Sequence, residues 1–345
     1  MSDFELKNHA PPWFDNLQEA RKIYECGDRI VWIMEEVFIL KRTRYTVNSD
    51  ASTHHFINNR TSVPAPRVYG EWLSPDRHKH FLLEGRAPGI TLGEAWPQLT
   101  KAKKIQLAQQ VAGYMSTLSR TFRGRRMESV SGQTLPLNCF APTADGKPRS
   151  FLHGRWKTKK KIFDNEFRPA LLGAGVSEDM INSVRTTMPP CRGQLALTHC
   201  DLYVGNIMVD PDRAEVTAII DWESAGYWPE WFQYARITHG CNPDDAEWKF
   251  VLSRVSRPKI NHADHGRVWL DMVQLLVCCP DSLQARAWLE LLVKYKKGEV
   301  SSGEMREYRK LNGHNETEYL AKEKVRLNNR GFKGDRGYYS TGLHS

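Results

Sequence analysis

The stretch of sequence best equipped for chemistry is His199-Cys-Asp201-Leu-Tyr-Val-Gly-Asn206, followed by Ile219-Ile-Asp221-Trp-Glu223. Asp201 and Asn206 bracket a short loop, and Asp221 closes the second of two short apolar runs, Asn206 to Asp210 and Val216 to Asp221. Pro211-Asp-Arg-Ala between those runs reads as a turn, so a hairpin would return Asp221 to the side of Asn206. An amide oxygen beside a carboxylate is a hard-oxygen pair suited to Mg²⁺, which needs only one or two protein ligands when it rides on nucleotide phosphates. Asp201 is then left as a separate carboxylate to accept the proton of an attacking hydroxyl, and the set suits phosphoryl transfer.

The elements that must position these residues can be read in outline. Arg29 to Met34 and Val37 to Lys41 read as β-runs joined by a hairpin at Glu35-Glu36, with a further strand ending at Cys26 and turning at Gly27-Asp28. A helix is expected over Asn48 to Arg60, capped by Asn48, Ser49 or Asp50 and stopped by Ser62-Val-Pro-Ala-Pro. Arg67 to Trp72 and His80 to Glu84 are strand candidates, followed by a turn at Ala87-Pro-Gly89. From Leu92 the character changes: Lys101 to Leu118 carries apolar residues at helical spacing, and Val268 to Cys279 and Ala285 to Tyr295 also read as helices. The two runs around Asn206 and Asp221 are the only strands expected in this second part. Gly331 to Ser345 reads as a frayed tail.

Composition narrows the class of protein. A chain of 345 residues, with 40% hydrophobic and 26% charged residues, has length for about two domains and can bury a core without disulfide or metal staples. No run approaches a membrane span, and the start, Met1-Ser-Asp-Phe-Glu-Leu-Lys, lacks a secretory signal, so a cytoplasmic location is expected. Seven cysteines, at 26, 139, 191, 200, 241, 278 and 279, form no C-x-x-C pair and read as reduced thiols. The net charge of +9 would matter for nucleic acid only if clustered. Lys157 to Lys161 is short, and the tail from Lys294 interleaves Lys and Arg with Glu, so both read as solvated helix faces and no specific nucleic acid is expected.

H-x-D-x-x-x-x-N followed by I-I-D-W-E resembles the aminoglycoside phosphotransferase and choline kinase branch of the protein-kinase-like fold. Thr61-Ser-Val-Pro-Ala-Pro-Arg-Val-Tyr-Gly70 is similar to a family segment of T-S-I-P-V-P-R-V type, Leu82 to Gly89 looks like the interlobe linker, and Ala225-Gly-Tyr-Trp-Pro-Glu-Trp231 resembles an A-G-x-x-P-E stretch. Together these cover residues 20 to 300, and the variant most resembles fungal members. The resemblance implies an α+β fold of two lobes: a small antiparallel-sheet lobe over residues 21–86 and a helical lobe over 87–300, flanked by extensions 1–20 and 301–345. It implies a small-molecule kinase that moves the γ-phosphate of ATP, or of GTP, to a hydroxyl acceptor with Mg²⁺. Asp201 would be the catalytic base, Asn206 and Asp221 would hold the metal, and Lys41, ending its strand, would pair with the nucleotide phosphates.

Three departures accompany the resemblance. Asp50 stands where family members carry the glutamate that positions the lysine, and aspartate is one methylene shorter. Tyr24-Glu-Cys-Gly-Asp-Arg29 has one glycine, Gly27, in place of G-x-G-x-x-G. Cys200 replaces the protein-kinase arginine, and D-F-G and A-P-E are missing, which argues against a polypeptide substrate and against activation-loop switching. Asp50 and the poor glycine loop leave a catalytically weak or inactive nucleotide-binding protein as the alternative. Of the remaining candidates, His199 reads as a structural hydrogen bonder, and Trp222 and Glu223 as packing that shapes the site. Asn242-Pro-Asp-Asp-Ala-Glu247 reads as a helix start rather than an acidic substrate wall, and the adjacent His54 and His55 face different ways and make a poor metal site. The acceptor and the oligomeric state have no signature in the sequence.

Overall fold

The computed structural model describes residues 10, 14, 20–26, 29–44, 50–136, 152–153, 156–191, 195–236, 242–256 and 263–312. Its first strands are β1 (Ala20–Cys26), β2 (Arg29–Met34) and β3 (Phe38–Arg44), rich in the β-branched and aromatic residues that suit a pleated surface. The β2–β3 hairpin turns at Glu35 and Glu36, both at positive φ (52° and 55°), and Val37 N donates to Met34 O at 3.1 Å. Helix α1 (Asp50–Arg60) follows, then β4 (Val68–Leu73) and β5 (Lys79–Gly85). The five strands form one antiparallel sheet in the order β1-β2-β3-β5-β4. Lys41 does not end its strand as expected: the ladder continues through Thr43 opposite His80 and Arg44 opposite Lys79, so Lys41 sits at the centre of β3. The Gly27-Asp28 turn, the caps Asn48 and Ser49, and the tail from Gly331 lie outside the described residues.

The buried face of α1 is polar. Asp50, Thr53, His54 and Ile57 recur at helical spacing and all point inward, with His54 fully covered, while neighbouring His55 is half-buried. A helix that turns ionisable groups toward a sheet must find them partners there. The segment after it, Thr61 to Pro66, acts as a splice. Pro66 O accepts from Asn58 Nδ2 at 3.0 Å, and Pro64 O accepts from Ile219 N at 2.8 Å.

The second part begins with β6 (Ile90–Thr91), α2 (Leu92–Ala95) and α3 (Lys101–Thr121), the last capped by Thr100 and burying Leu107, Val111, Met115 and Leu118. Short strands β7 (Arg123–Gly124), β8 (Leu135–Pro136) and β9 (Leu152–His153) and helices α4 (Lys159–Ile162), α5 (Arg168–Gly173) and α6 (Glu178–Thr187) follow. Then come β10 (Leu195–Thr198), β11 (Ile207–Asp210), β12 (Glu215–Ile219) and β13 (Gly226–Trp228). Helices α7 (Glu230–Arg236), α8 (Pro243–Ser256), α9 (Ala263–Cys278), α10 (Leu283–Lys297) and α11 (Ser302–Asn312) complete the described chain.

The strands number more than the sequence reading expected, because β10 pairs between β13 and β7, and β11 between β12 and β6. β10 is four buried residues with no polar alternation, and β13 is three residues long, so neither leaves a periodic trace. The antiparallel sheet with a helical second part is a mixed α+β fold, as the resemblance implies. Trp96, Trp222, Trp231, Trp248 and Trp269 are among its largest fully buried side chains, so much of the tryptophan content is core.

Candidate functional site

Strand β10 delivers the chain to Asp201 through a bend that the surrounding side chains hold in place. Cys200 sits in the left-handed region at φ 68°, a conformation that costs an L-residue roughly 1–2 kcal/mol and needs support. Two helices supply it. Cys200 N donates to Gln233 Oε1 at 3.1 Å and Arg236 Nε to Cys200 O at 3.4 Å, both from α7. From α8, Trp248 Nε1 donates to Leu202 O at 3.1 Å, and Asp245 Oδ1 accepts from Val204 N at 3.0 Å. The backbone between Asp201 and Asn206 is thus set by side chains distant in sequence.

His199 joins the two loops. Its Nδ1 accepts from Asp201 N at 3.2 Å, so Nε2 carries the proton and donates to Ile220 O at 3.0 Å. Burial holds its pKa below the usual histidine value against the pull of Asp201, which keeps the ring neutral and in this tautomer. The ring packs in a T-shaped arrangement with Trp222, ring centroids 4.6 Å apart. These are the structural bonds expected of it.

Asn206 is fully buried and donates from Nδ2 to Asp201 O at 2.9 Å and to Asp201 Oδ2 at 3.1 Å. Its main-chain oxygen accepts from Ile220 N at 3.0 Å, which draws the residue before Asp221 against it. Asp221 also lies at positive φ (63°), turning off the end of β12. The structure therefore brings Asp201, Asn206 and Asp221 to one place. Asn206 Oδ1 is buried and accepts no hydrogen bond among the described residues, an arrangement that fits a cation ligand, and Asp221 offers a second hard oxygen. No group of three or more His, Cys, Asp or Glu suited to a metal occurs among the described residues. Burial pushes the Asp201 carboxyl above its ordinary pKa, with Arg236 opposing and Asp221 adding to the rise.

The other wall of the site is the inner face of the five-stranded sheet. Lys41 stands opposite Val31 on one side and Leu82 on the other, and Arg29, two residues before Val31, shares that face. Lys41 Nζ lies 2.9 Å from Glu84 Oε1 and 3.9 Å from Asp50 Oδ2. Asp50 faces the lysine from α1, as the resemblance implies, but Glu84 is the nearer carboxylate and was missed. Gly27 lies outside the described residues.

Arg29 was missed as well. Its Nη1 lies 3.6 Å from Asp221 Oδ2, and its Nη2 pairs with the Glu223 carboxylate. A cavity between sheet and loops is lined by Arg29, Lys41, Asp50, Asp221 and Glu223. Burial pushes the Glu223 carboxyl up to about 7 against the opposing charge of Arg29. The period-two face shared with Lys41 was the available signal for Arg29. A guanidinium and a divalent cation compete for one carboxylate. Arg29→Gln should therefore bind Mn²⁺ more tightly than wild type without nucleotide, by about twofold to fivefold, in an electron-paramagnetic-resonance titration. Unchanged Mn²⁺ affinity would remove Arg29 as a competitor.

His54 Nε2 lies 3.2 Å from Asp50 Oδ1, and its Nδ1 lies 3.1 Å from Pro66 O. A carbonyl only accepts, so Nδ1 carries a proton, and Nε2 faces Asp50 at ion-pair distance. Burial lowers the His54 pKa, but the Asp50 charge and hydrogen bond and the Glu84 charge outweigh it and the net shift is upward. For Asp50, burial pushes the pKa up, while Lys41 and His54 overcome it and hold the carboxyl far below its usual range. A raised histidine pKa stabilises the fold at pH below the unfolded value of about 6.5, and that stabilisation is lost as pH rises through the folded value. The unfolding free energy from urea titration should fall across that window with a slope no steeper than about 1.4 kcal/mol per pH unit, one proton's worth. In His54→Gln the component should vanish; a persisting slope would assign it to another group.

The acidic run begins a helix, as expected: Asp245 N donates to Asn242 Oδ1 at 2.8 Å. Asp245 itself, however, is fully buried against the Asp201–Asn206 loop and pairs with Lys249 at 2.8 Å, because α8 packs that turn inward. Glu247 accepts from Trp96 Nε1 and Lys104 Nζ, both at 2.9 Å, so it serves packing between helices.

The model of the APH family, described as the phosphotransferase enzyme family, matches residues 38–254. No curated protein sequence matches the chain. Among solved structures it is similar to a thermostable mutant of aminoglycoside phosphotransferase APH(4)-Ia in ternary complex with ADP and hygromycin B, with TM-score 0.53 and 14% identity over 81% of this chain and 95% of that one. The GDP complex of an aminoglycoside 2'-phosphotransferase-IIIa mutant superimposes with TM-score 0.52 and 16% identity over 83% of this chain and 94% of that one. At such identities the likeness establishes the fold. No described helix is long and apolar enough to cross a membrane.

Proposed function

The chain belongs to the phosphotransferase enzyme family, and from that premise we propose that it transfers the γ-phosphate of ATP, or of GTP, to a hydroxyl of a small molecule. The observation that carries this reading is the tie between Asp201 and Asn206, with the Asn206 main chain drawing the Asp221 loop to the same point. Asp201 would accept the hydrogen bond and then the proton of the acceptor hydroxyl. Lys41 would neutralise nucleotide phosphates from the sheet side. Asn206 and Asp221 would hold Mg²⁺, which when bound supplies charge neutralisation on the transferring phosphate. The division into a sheet lobe over 21–86 and a helical lobe over 87–300 belongs to the same proposal, as do a cytoplasmic location, supported by unpaired thiols such as Cys191 and Cys279, and the likeness to fungal members.

The neighbours in structure favour an aminoglycoside-like acceptor as the first class to try, with choline-like amines and other amino alcohols next. A second reading, a binding protein with weak or no turnover, draws on the pairing of Arg29 with Asp221 and Glu223, the carboxylates that a metal–nucleotide complex would face. The deciding experiment incubates wild type with ATP or GTP, Mg²⁺ and a pooled small-molecule extract, and looks for a phosphate adduct by mass spectrometry. An adduct identifies a kinase and its acceptor. Nucleotide binding without any adduct favours the second reading, and absence of nucleotide binding ends both.

A further inference from the structure

We propose that Glu84, on the interior strand β5, is the residue that positions Lys41, in place of the helix carboxylate that the resemblance assigns to this task. The inference rests on the reading of Lys41 as the phosphate-binding lysine, but the pairing itself can be tested without nucleotide. Distance separates the two carboxylates. Glu84 Oε1 at 2.9 Å is in close ion-pair contact with the ammonium, and Asp50 Oδ2 at 3.9 Å is a full ångström farther. Aspartate at the helix position falls short, and the sheet supplies the longer side chain.

Register explains why Glu84 can reach. Lys41 lies opposite Leu82 and Glu84 opposite Ile39, so Lys41 and Glu84 are diagonal neighbours on one face of the β3–β5 ladder. β5 is paired on both sides, Glu84 also standing opposite Val68 of β4, which leaves its backbone no freedom to swing. The Glu84 side chain is completely covered and Lys41 is 7% exposed. A carboxylate so placed requires a cation, and Lys41 is within reach.

Asp50 has a second partner. Its other oxygen is 3.2 Å from His54 Nε2, while His54 Nδ1 faces Pro66 O and lies 3.8 Å from Glu84 Oε2. Lys41, His54, Asp50 and Glu84 form one buried cluster, in which Asp50 and His54 both belong to α1 and Lys41 and Glu84 both belong to the sheet. Movement of α1 would carry the Asp50–His54 contact with it, stretch the Asp50–Lys41 approach, and leave the Lys41–Glu84 pair, made within the sheet, intact. The lysine is set by strand pairing, and helix position is not a switch for it.

The test reads the Lys41 ammonium directly, by titration of its side-chain NMR signal in lysine-labelled protein, assigned with Lys41→Arg. Loss of an adjacent carboxylate lowers a lysine pKa. Glu84→Gln should lower it by about one unit or more, and Asp50→Asn by clearly less. With nucleotide and an acceptor, Glu84→Gln should raise the nucleotide KM and lower kcat, and Glu84→Asp should not restore them, since it is short by the same methylene. If Glu84→Gln fails to fold, Asp50→Asn alone decides: a Lys41 titration that stays near wild type upholds Glu84 as the partner, and one that collapses overturns it. Failure of nucleotide binding in wild type would sink the functional reading and leave the Lys41 titration to judge the pairing.

Discussion

Asp201→Ala should lower phosphoryl transfer by roughly 10²- to 10⁴-fold, the range for loss of a positioned general base, and change nucleotide affinity by less than about threefold. The expectation follows from what the side chain touches. Asp201 Oδ2 accepts from Asn206 Nδ2, but the same amide also donates to Asp201 O, a main-chain group that alanine retains. Asn206 therefore keeps its orientation in the variant, and so does the backbone, which is held by Gln233, Trp248 and Asp245. Nucleotide and metal contacts should survive while the proton acceptor is lost. Asp201→Asn is the stricter comparison, because it fills the same space and cannot take a proton. Single-turnover transfer and nucleotide binding, measured on the same preparation, separate the two effects. Wild-type turnover by either variant would remove Asp201 from its role.

Asp245→Ala should be the most destabilising single change near the site, by about 3–5 kcal/mol, the cost of breaking a buried ion pair from one side. The carboxylate is fully buried, pairs with Lys249 at 2.8 Å and accepts from Val204 N at 3.0 Å. Alanine would leave a largely buried ammonium and a buried N–H without that partner. Against a total stability of about 5–15 kcal/mol for a domain, the loss is a large fraction. Urea unfolding should show a markedly lower midpoint at unchanged slope. Asp244→Ala, one residue earlier and only half-buried, should shift stability by no more than about 0.5 kcal/mol. Equal effects at the two positions would mean that the helix start, and not the brace on the loop, carries the energy.

Asp245 also marks where reading the chain residue by residue stops. Asn, Pro and two acids before an apolar helix are a complete local explanation, and the cap at Asn242 is indeed there. Which turn of that helix faces the loop after β10 depends on how α8 packs, about which its own residues say little. Glu84 was likewise read as the end of a strand and Arg29 as the start of one. Both acquire a partner only when strands pair: Glu84 meets Lys41 across a ladder, and Arg29 meets Asp221 and Glu223 across the cleft.

What the sequence determined by itself is what depends on near neighbours. The hairpin at Glu35-Glu36, the amphipathic helix over Lys101 to Leu118, the stop at Ser62 to Pro66 and the motif order Lys41, Asp201, Asn206, Asp221 are all legible from short-range spacing and residue type. The tertiary structure alone decided which carboxylate holds the lysine, which cation lies on Asp221, and which helices brace the Asp201–Asn206 loop. Those are contacts between groups tens to hundreds of residues apart, selected by burial: a charge or N–H removed from water must be matched by whatever partner the packing brings within reach.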